Sequence, residues 1–169
     1  MNIYIRYVSD GLLSDIAKTT FMTFKELNIT EPILKAIEEK GYAVKDYGCY
    51  SEESCDYPVY AKAVANAVKD GEVKQGILIC GTGIGISIAA NKVNGVRAAV
   101  VSEPVSAKLT KEHNNANIIA FGARIVGTEL AKDIVKAYLD AWLDAEYIGS
   151  GRHERRVNMI EEEAAKYNK

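Results

Sequence analysis

Cysteine is scarce in this sequence, and its few copies are poorly spaced for a structural framework. The 169 residues include only three cysteines, Cys49, Cys55 and Cys80, and no two of them have Cys-x-x-Cys spacing. A disulfide scaffold or a structural zinc site needs thiols in closer pairs. We therefore expect free thiols and no metal ion.

Long apolar runs and blocks of basic residues are also missing. The longest apolar stretches are too short to cross a bilayer, and no basic segment followed by an apolar core opens the chain. The formal net charge is only −2 and the sequence has no long Lys/Arg block, which argues against nucleic acid or an anionic membrane as the main partner. We expect a cytoplasmic protein that binds neither nucleic acid nor membranes.

What the chain does contain is a regular alternation of apolar runs with helical periodicity. A content of 48% hydrophobic and 26% charged residues suits one soluble domain over residues 1–169, with a charged and flexible tail at 161–169. The alternation is typical of βα units and predicts an α/β fold with a five-stranded parallel sheet. The predicted strands are 2–7, 43–46, 76–79, 98–101 and 118–121, and the predicted helices are 31–40, 58–70, 84–92, 103–113 and 128–146.

Residues 76–93 are the most informative segment, because an apolar run there ends in Cys80 and a glycine-rich loop follows. In a parallel α/β sheet, ligands bind beyond the carboxyl ends of the strands, where the N–H groups that open the next helix can bind anionic oxygens. The helix dipole favours a thiolate, so Cys80 is a candidate base or nucleophile. Gly81, Gly83 and Gly85 do not match the dinucleotide pattern Gly-x-Gly-x-x-Gly. The alternative is a tight turn beside a buried, unreactive cysteine.

Two polar clusters later in the chain suggest proton transfer and anion binding. In the first, at 111–117, His113 stands beside Asn114, and a histidine can exchange protons at neutral pH. In the second, Arg152 and Arg156 are four residues apart and would share a helical face beside His153, as a phosphate clamp requires. The alternatives are a capping or surface histidine in the first cluster and a solvated basic turn in the second.

A third cluster, residues 55–60, favours a structural interpretation. Pro58 indicates the start of a helix, which leaves Asp56 as a plausible N-cap and allows Tyr57 to face a cleft.

Together these clusters resemble the family of ribose-5-phosphate isomerase type B and galactose-6-phosphate isomerase, over residues 31–160. The motifs that carry the resemblance are Asp56-Tyr57-Pro58, Ile79-Cys80-Gly81-Thr82-Gly83-Ile84-Gly85, Ala89-Ala90-Asn91-Lys92, Glu112-His113-Asn114, Phe121-Gly122-Ala123-Arg124 and Gly151-Arg152-His153 with Arg156-Val157. The resemblance implies a Rossmann-like three-layer sandwich. It also implies a cofactor-independent aldose–ketose isomerase that acts on a sugar phosphate through an enediolate, with ribose 5-phosphate to ribulose 5-phosphate as the expected reaction.

The resemblance also implies a role for each matching residue. Cys80 would be the base that moves a proton between C1 and C2, and His113 would open the sugar ring. Thr82 and the loop glycines Gly81, Gly83 and Gly85 would stabilise the enediolate. Asn114 and Tyr57 would hold hydroxyl groups, and the phosphate would be bound by Arg124, Arg152, His153 and Arg156. Because the family builds each site from two subunits, we expect a homodimer or homotetramer with shared active sites.

The N-terminal segment departs from the family pattern. Only Ser9-Asp10 can be matched there, so a role for Asp10 in ring opening depends on a shifted alignment, and residues 12–30 form a lid, an added helix or a packing extension. Other functions therefore stay open: an isomerase of allose 6-phosphate or galactose 6-phosphate, a non-catalytic protein that binds sugar phosphates, or one subunit of a two-chain isomerase.

Overall fold

The protein folds as a mixed five-stranded sheet with helices on both faces. A computed structural model describes residues 4–9, 30–48, 56–144 and 151–167. The strands are β1 (Tyr4–Ser9), β2 (Ala43–Asp46), β3 (Gln75–Cys80), β4 (Ala98–Val100) and β5 (Ile118–Gly122). The helices are α1 (Thr30–Glu38), α2 (Tyr57–Lys69), α3 (Ile84–Ala90), α4 (Pro104–Asn114), α5 (Thr128–Asp144) and α6 (Arg152–Tyr167).

The strand order is β2-β1-β3-β5-β4, and β1 alone runs opposite to the other four strands, so that only the β3–β5 and β5–β4 pairings are parallel. The prediction of five strands is confirmed, but the prediction that all of them are parallel is wrong, because β1 pairs antiparallel with both β2 and β3. An apolar run predicts that a segment is extended and buried. It does not encode the direction of the strand, because parallel and antiparallel ladders both satisfy the backbone hydrogen bonds.

The two faces of the central strands bury two separate cores, which gives three layers. Alternate residues of a strand point to opposite faces, so Ile77 and Ile79 of β3 pack with α1 and α5 on one side. Leu78 and Cys80 of the same strand pack with α2 and α3 on the other side. All residues of β3 and β5 are buried, as expected for strands covered on both faces. This arrangement presents the carboxyl ends of β3 and β5 side by side.

Helix α4 shows how local sequence sets the end of an element. Glu103 is the N-cap, and its carboxylate accepts the N–H groups of Val105 and Ser106, both at 2.6 Å, while Pro104 takes the first helical position. The helix ends at Asn115, which adopts a left-handed conformation with φ 48°. The cap and the C-terminal turn therefore fix where the end of α4 lies.

The five predicted helices correspond to α1–α5, and α6 was not predicted as an element. Val157 is the one buried residue of α6 among those the structure describes, and the many charged residues of this segment led the sequence analysis to treat it as a basic cluster. The structure continues α6 to Tyr167, into the segment expected to be a flexible tail. Within the described ranges, no helix has the length and apolar character needed to span a bilayer.

Candidate active site

Cys80 is the last residue of β3, and its side chain is buried at the carboxyl edge of the sheet. Only 5% of the residue is exposed, and the backbone N–H of Gly83 donates a hydrogen bond to its Sγ at 3.1 Å. The carbonyl of Cys80 accepts the N–H of Ala123 at 2.8 Å, and that of Gly81 accepts the N–H of Arg124 at 3.2 Å. A backbone donor is therefore aimed at the sulfur of Cys80, and two backbone bonds join this end of β3 to the residues that follow β5.

Two glycines allow the loop after Cys80 to approach the end of β5 closely. Gly83 has φ 79°, and a Cβ on it would lie 2.8 Å from backbone atoms of Phe121. A Cβ on Gly122 would lie 2.6 Å from the Cα of Thr82. No side chain fits at either position, because the atoms it would meet belong to the backbone and cannot rotate out of the way. Of the loop glycines that the sequence analysis singled out, Gly83 is therefore required by this packing.

Tyr57 reaches the same loop from the start of α2. A Cβ on Gly85 would lie 2.5 Å from the phenol oxygen of Tyr57 and 2.6 Å from its Cζ, so the ring packs directly against the backbone of Gly85. The predicted position of Asp56 as N-cap of α2 is confirmed, although its side chain makes no capping hydrogen bond. The start of α2 thus places the hydroxyl of Tyr57 beside the loop that follows Cys80.

Thr82 and Arg124 complete the group at this edge, and both are exposed. The Oγ1 of Thr82 accepts the N–H of Ile84 at 3.3 Å, which leaves the hydroxyl proton available for another acceptor. Arg124 follows β5 and is held to the loop through its backbone bond to Gly81. We call Tyr57, residues 80–85 and Arg124 the cysteine cluster.

A second group of predicted site residues forms where the end of α4 meets the start of α6. The imidazole rings of His113 and His153 stack, with centroids 4.4 Å apart and planes 14° from parallel. The Nε of Arg152 lies 3.5 Å from the Nε2 of His153. The pKa of His153 is held below its ordinary value, first by desolvation and then by the charges of His113, Arg152 and Arg156. This surrounding charge favours binding of an anion.

These side chains, with the neighbouring Asn114, form what we call the histidine–arginine cluster, and it lies at the opposite edge of the sheet from Cys80. Helix α4 starts just after β4, at the carboxyl edge, and ends four residues before Ile118 opens the parallel strand β5. Its 11 residues return the chain by roughly 16 Å at 1.5 Å per residue. Within one chain, the structure therefore does not bring His113 together with Cys80.

Sequence reasoning missed two buried or half-buried cations behind this cluster, Lys111 and Arg97. Lys111 is only 6% exposed; its Nζ lies 3.6 Å from the centre of the Trp142 ring and donates to the Oδ1 of Asn115 at 2.7 Å. Burial, together with the charge of Arg97, lowers the pKa of Lys111 to about 8. The i, i+4 spacing of Lys111 and Asn115 was visible in the sequence, but their burial depends on packing that the sequence does not show.

Some predicted residues fall outside the part of the chain that the structure describes. They are Asp10, most of the 12–30 segment, and the other two cysteines, Cys49 and Cys55. Within the described ranges, no three His, Cys, Asp or Glu side chains are grouped so that they could hold a metal ion.

Comparison with known proteins shows the family of this chain. A family described as Ribose/Galactose Isomerase matches residues 24–160. The chain belongs to this family. The resemblance predicted from the motifs is therefore confirmed, and the chain is an aldose–ketose isomerase of the sugar-phosphate class. The match begins at residue 24, within the 12–30 segment that departs from the family pattern.

Individual relatives agree with this assignment. Ribose-5-phosphate isomerase B of Escherichia coli is 58% identical over 128 residues, which cover 76% of this chain and 83% of the relative. D-erythrulose-4-phosphate isomerase of Pectobacterium atrosepticum is 46% identical over 126 residues, covering 74% of this chain and 80% of the relative. The solved structure of ribose-5-phosphate isomerase B from Clostridium thermocellum has a TM-score of 0.74 and 49% identity, and the match covers 83% of this chain and 92% of that one.

Proposed function

We propose that this isomerase converts ribose 5-phosphate to ribulose 5-phosphate without a cofactor, with Cys80 as the base. The observation that carries the proposal is the hydrogen bond from the Gly83 N–H to the Cys80 Sγ at 3.1 Å, at the carboxyl edge of a parallel strand. The choice of a ribose phosphate is supported by the 58% identity to the Escherichia coli enzyme.

The proposed chemistry moves one proton between two carbons. In the open-chain aldose, the Cys80 thiolate takes the proton from C2, and the electron pair flows through C1 to the carbonyl oxygen to give an enediolate. Return of the proton from the Cys80 thiol to C1, with transfer of the C2 hydroxyl proton to the oxyanion on C1, gives the ketose and restores the thiolate. Preorganised donors near a developing oxyanion lower the barrier of such a step. We assign this role to the Thr82 hydroxyl and to N–H groups of Gly81, Gly83 and Gly85.

The remaining roles are shared between the two clusters, and those of the histidine–arginine cluster require a second copy of the chain. We propose that His113 opens the sugar ring, that Asn114 and Tyr57 hold hydroxyl groups, and that the phosphate is bound by Arg124, Arg152, His153 and Arg156. The histidine–arginine cluster would then serve the cysteine cluster of a partner, since the two lie at opposite edges within one chain. A homodimer, which can pair further into a homotetramer, brings one of each together.

Exposed apolar side chains near both clusters support this assembly. Val59, Ile84 and Ile88 are each more than half exposed on α2 and α3, the helices around the cysteine cluster, and so are Met159 and Ile160 on α6. Apolar side chains grouped on a surface mark sites of protein association.

Asp10 has a separate place in the proposal. It would assist ring opening in the absence of the histidine that the family pattern has in this segment. Its contribution is tested by an Asp10→Asn variant of the active enzyme.

The first experiment measures turnover of ribose 5-phosphate beside allose 6-phosphate, galactose 6-phosphate and D-erythrulose 4-phosphate. Cys80→Ala should abolish turnover but retain substrate binding, whereas the matched thiol control Cys55→Ala should leave the rate unchanged. Turnover of another sugar phosphate alone would reassign the substrate, and an active Cys80→Ala enzyme would refute the mechanism. Binding of sugar phosphates with no turnover of any would identify a non-catalytic protein or one subunit of a two-chain isomerase.

A hybrid dimer tests the shared site. Cys80→Ala chains and chains with both Arg152→Gln and Arg156→Gln are co-expressed with different tags, and the mixed dimer is purified. If each site takes its thiol from one chain and its arginines from the other, one of the two sites is intact and about half of the wild-type activity returns. A site built within one chain would leave the hybrid inactive.

A further inference from the structure

Helix α6 carries three members of the histidine–arginine cluster, yet it is weakly packed. Of its residues in the described range, Val157 alone is buried. An open groove of about 410 Å³ lies between part of α6 and the start of β4, and its lining includes Ile160 and Glu161. A helix with so little buried apolar surface depends on a few polar contacts for its position.

Arg97 supplies such a contact, because it joins three parts of the chain. Its Nη1 donates to the Oε1 of Glu161 on α6 at 2.5 Å, and its Nε donates to the carbonyl of Asn115, just after α4, at 3.0 Å. Its own backbone N–H donates to the Oδ1 of Asn117 at 2.8 Å, which anchors it before β4. The side chain is 22% exposed, so these charge-assisted bonds are partly shielded from water.

The residue that Arg97 holds on α4 is itself fixed. Asn115 is in a left-handed conformation, its N–H donates to the carbonyl of Lys111 at 3.0 Å, and its Oδ1 accepts the Nζ of Lys111 at 2.7 Å. His113 and Asn114 directly precede it in the chain. The guanidinium of Arg97 therefore connects the end of α4 to α6, five residues beyond Arg156.

We infer that Arg97 is a positioning residue for the phosphate-binding end of the site, which fixes α6 against the end of α4 so that the histidine–arginine cluster keeps one geometry. The inference rests on the proposed function for the identity of the anion, a sugar phosphate. The geometric part, that Arg97 holds the two histidines and the two arginines together, is independent of turnover.

Three variants separate the contacts. Glu161→Gln removes the ion pair to α6 and leaves the bond to Asn115 in place. Arg97→Met removes both contacts, while Arg97→Lys keeps a cation that can reach one partner but not both. The matched control is Glu163→Gln, on the same helix, because Glu163 pairs with the nearby Lys166 on the exposed face.

The first readout is nuclear magnetic resonance of the histidine rings. The chain contains only two histidines, so a His153→Gln sample assigns both signals. Ring protons of stacked imidazoles give a mutual nuclear Overhauser effect. We expect this effect in the wild type and in Glu163→Gln, and we expect it to be lost in Arg97→Met and weakened in Glu161→Gln and Arg97→Lys.

The second readout is affinity, measured well below the melting temperature. Loss of one well-placed charged contact should raise both KM and the Kd for inorganic phosphate about tenfold in Glu161→Gln, with kcat within about twofold. Arg97→Met should raise KM further and also lower kcat, because it releases His113 as well. Glu163→Gln should change neither constant.

These readouts distinguish the inference from a purely stabilising role and from failure of the proposed function. If Arg97→Met and Glu161→Gln lower the melting temperature but keep the ring contact and the phosphate Kd, Arg97 is not a positioning residue. If Arg97→Met does not fold, the ring contact and the phosphate Kd of Glu161→Gln and Arg97→Lys decide whether Arg97 is a positioning residue. If the wild type isomerises no sugar phosphate, the proposed function fails, while the ring contact and the phosphate Kd still decide the role of Arg97.

Discussion

Replacing Gly83 by alanine tests whether the loop after Cys80 is fixed by close backbone packing. Gly83 has φ 79°, and an added Cβ would lie 2.8 Å from the Cα and carbonyl carbon of Phe121. Gly95 has the same φ of 79°, but an added Cβ there would meet nothing within 4 Å. The pair therefore separates the cost of the backbone conformation from the cost of the contact.

The expected losses of stability follow from the cost of the backbone conformation and the cost of the contact. A left-handed conformation costs a non-glycine residue roughly 1–2 kcal/mol, and both variants carry this cost. Overpacking against atoms that cannot rotate away costs a further 1–3 kcal/mol, approximately, and only Gly83→Ala carries it. The free energy of unfolding should therefore fall by about 2–5 kcal/mol in Gly83→Ala and by about 1–2 kcal/mol in Gly95→Ala.

Urea denaturation of both variants measures this difference, provided that their m-values agree. The rate of isomerisation gives a second measure, because moving the loop also moves the Gly83 N–H away from the Cys80 Sγ. Gly83→Ala should lose activity at a temperature where it is folded, whereas Gly95→Ala should keep it. Equal losses of stability in the two variants would refute the packing argument, and full activity in Gly83→Ala would refute the role of its N–H.

Two further predictions concern charged groups. The pKa of Lys111 is lowered from 10.5 to about 8 by burial, so between these pH values the unfolded chain binds more protons and the free energy of unfolding should rise with pH. Denaturation of the wild type and of Lys111→Met at a series of pH values measures this effect. From pH 8 to 10.5, the free energy of unfolding of the wild type should rise by at most roughly 3 kcal/mol relative to that of Lys111→Met. If the two free energies change with pH in parallel, the prediction is contradicted. Arg156→Gln should raise KM about tenfold or more with a smaller change in kcat, since it would remove a charged contact that we propose to the phosphate. An unchanged KM in steady-state assays would exclude that contact.

The surroundings of Cys80 were predictable from sequence because their signals are local. An apolar run, a thiol, closely spaced glycines and helix formers follow one another within residues 76–93, and the structure arranges them as β3, loop and α3. The direction of β1 was not predictable in the same way. Its pairing depends on which strands it meets, and the pattern of its own side chains is the same for either direction.

The histidine–arginine cluster was predicted as separate residues, but its arrangement was not. Arg152 and Arg156 do share a helix, but α6 is rich in charged residues and buries only Val157 among its described residues, so its position in the fold is not set by a local apolar signal. The contact that ties it to the rest of the chain joins Arg97 and Glu161, which are 64 residues apart. An arginine before a short strand has no local feature that distinguishes it from a surface arginine.

The polar character of α6 follows from the use that we propose for it. A helix that presents arginines and a histidine to an anion cannot bury those side chains in its own subunit, so it contributes little to the core of its own chain. Such a helix needs another source of order, and the protein has two candidates. Arg97 ties it to α4 within the chain, and a partner subunit would cover Met159 and Ile160, which are more than half exposed. On this reasoning the same assembly that joins the two clusters also stabilises α6, so subunit dissociation should remove phosphate affinity and activity together.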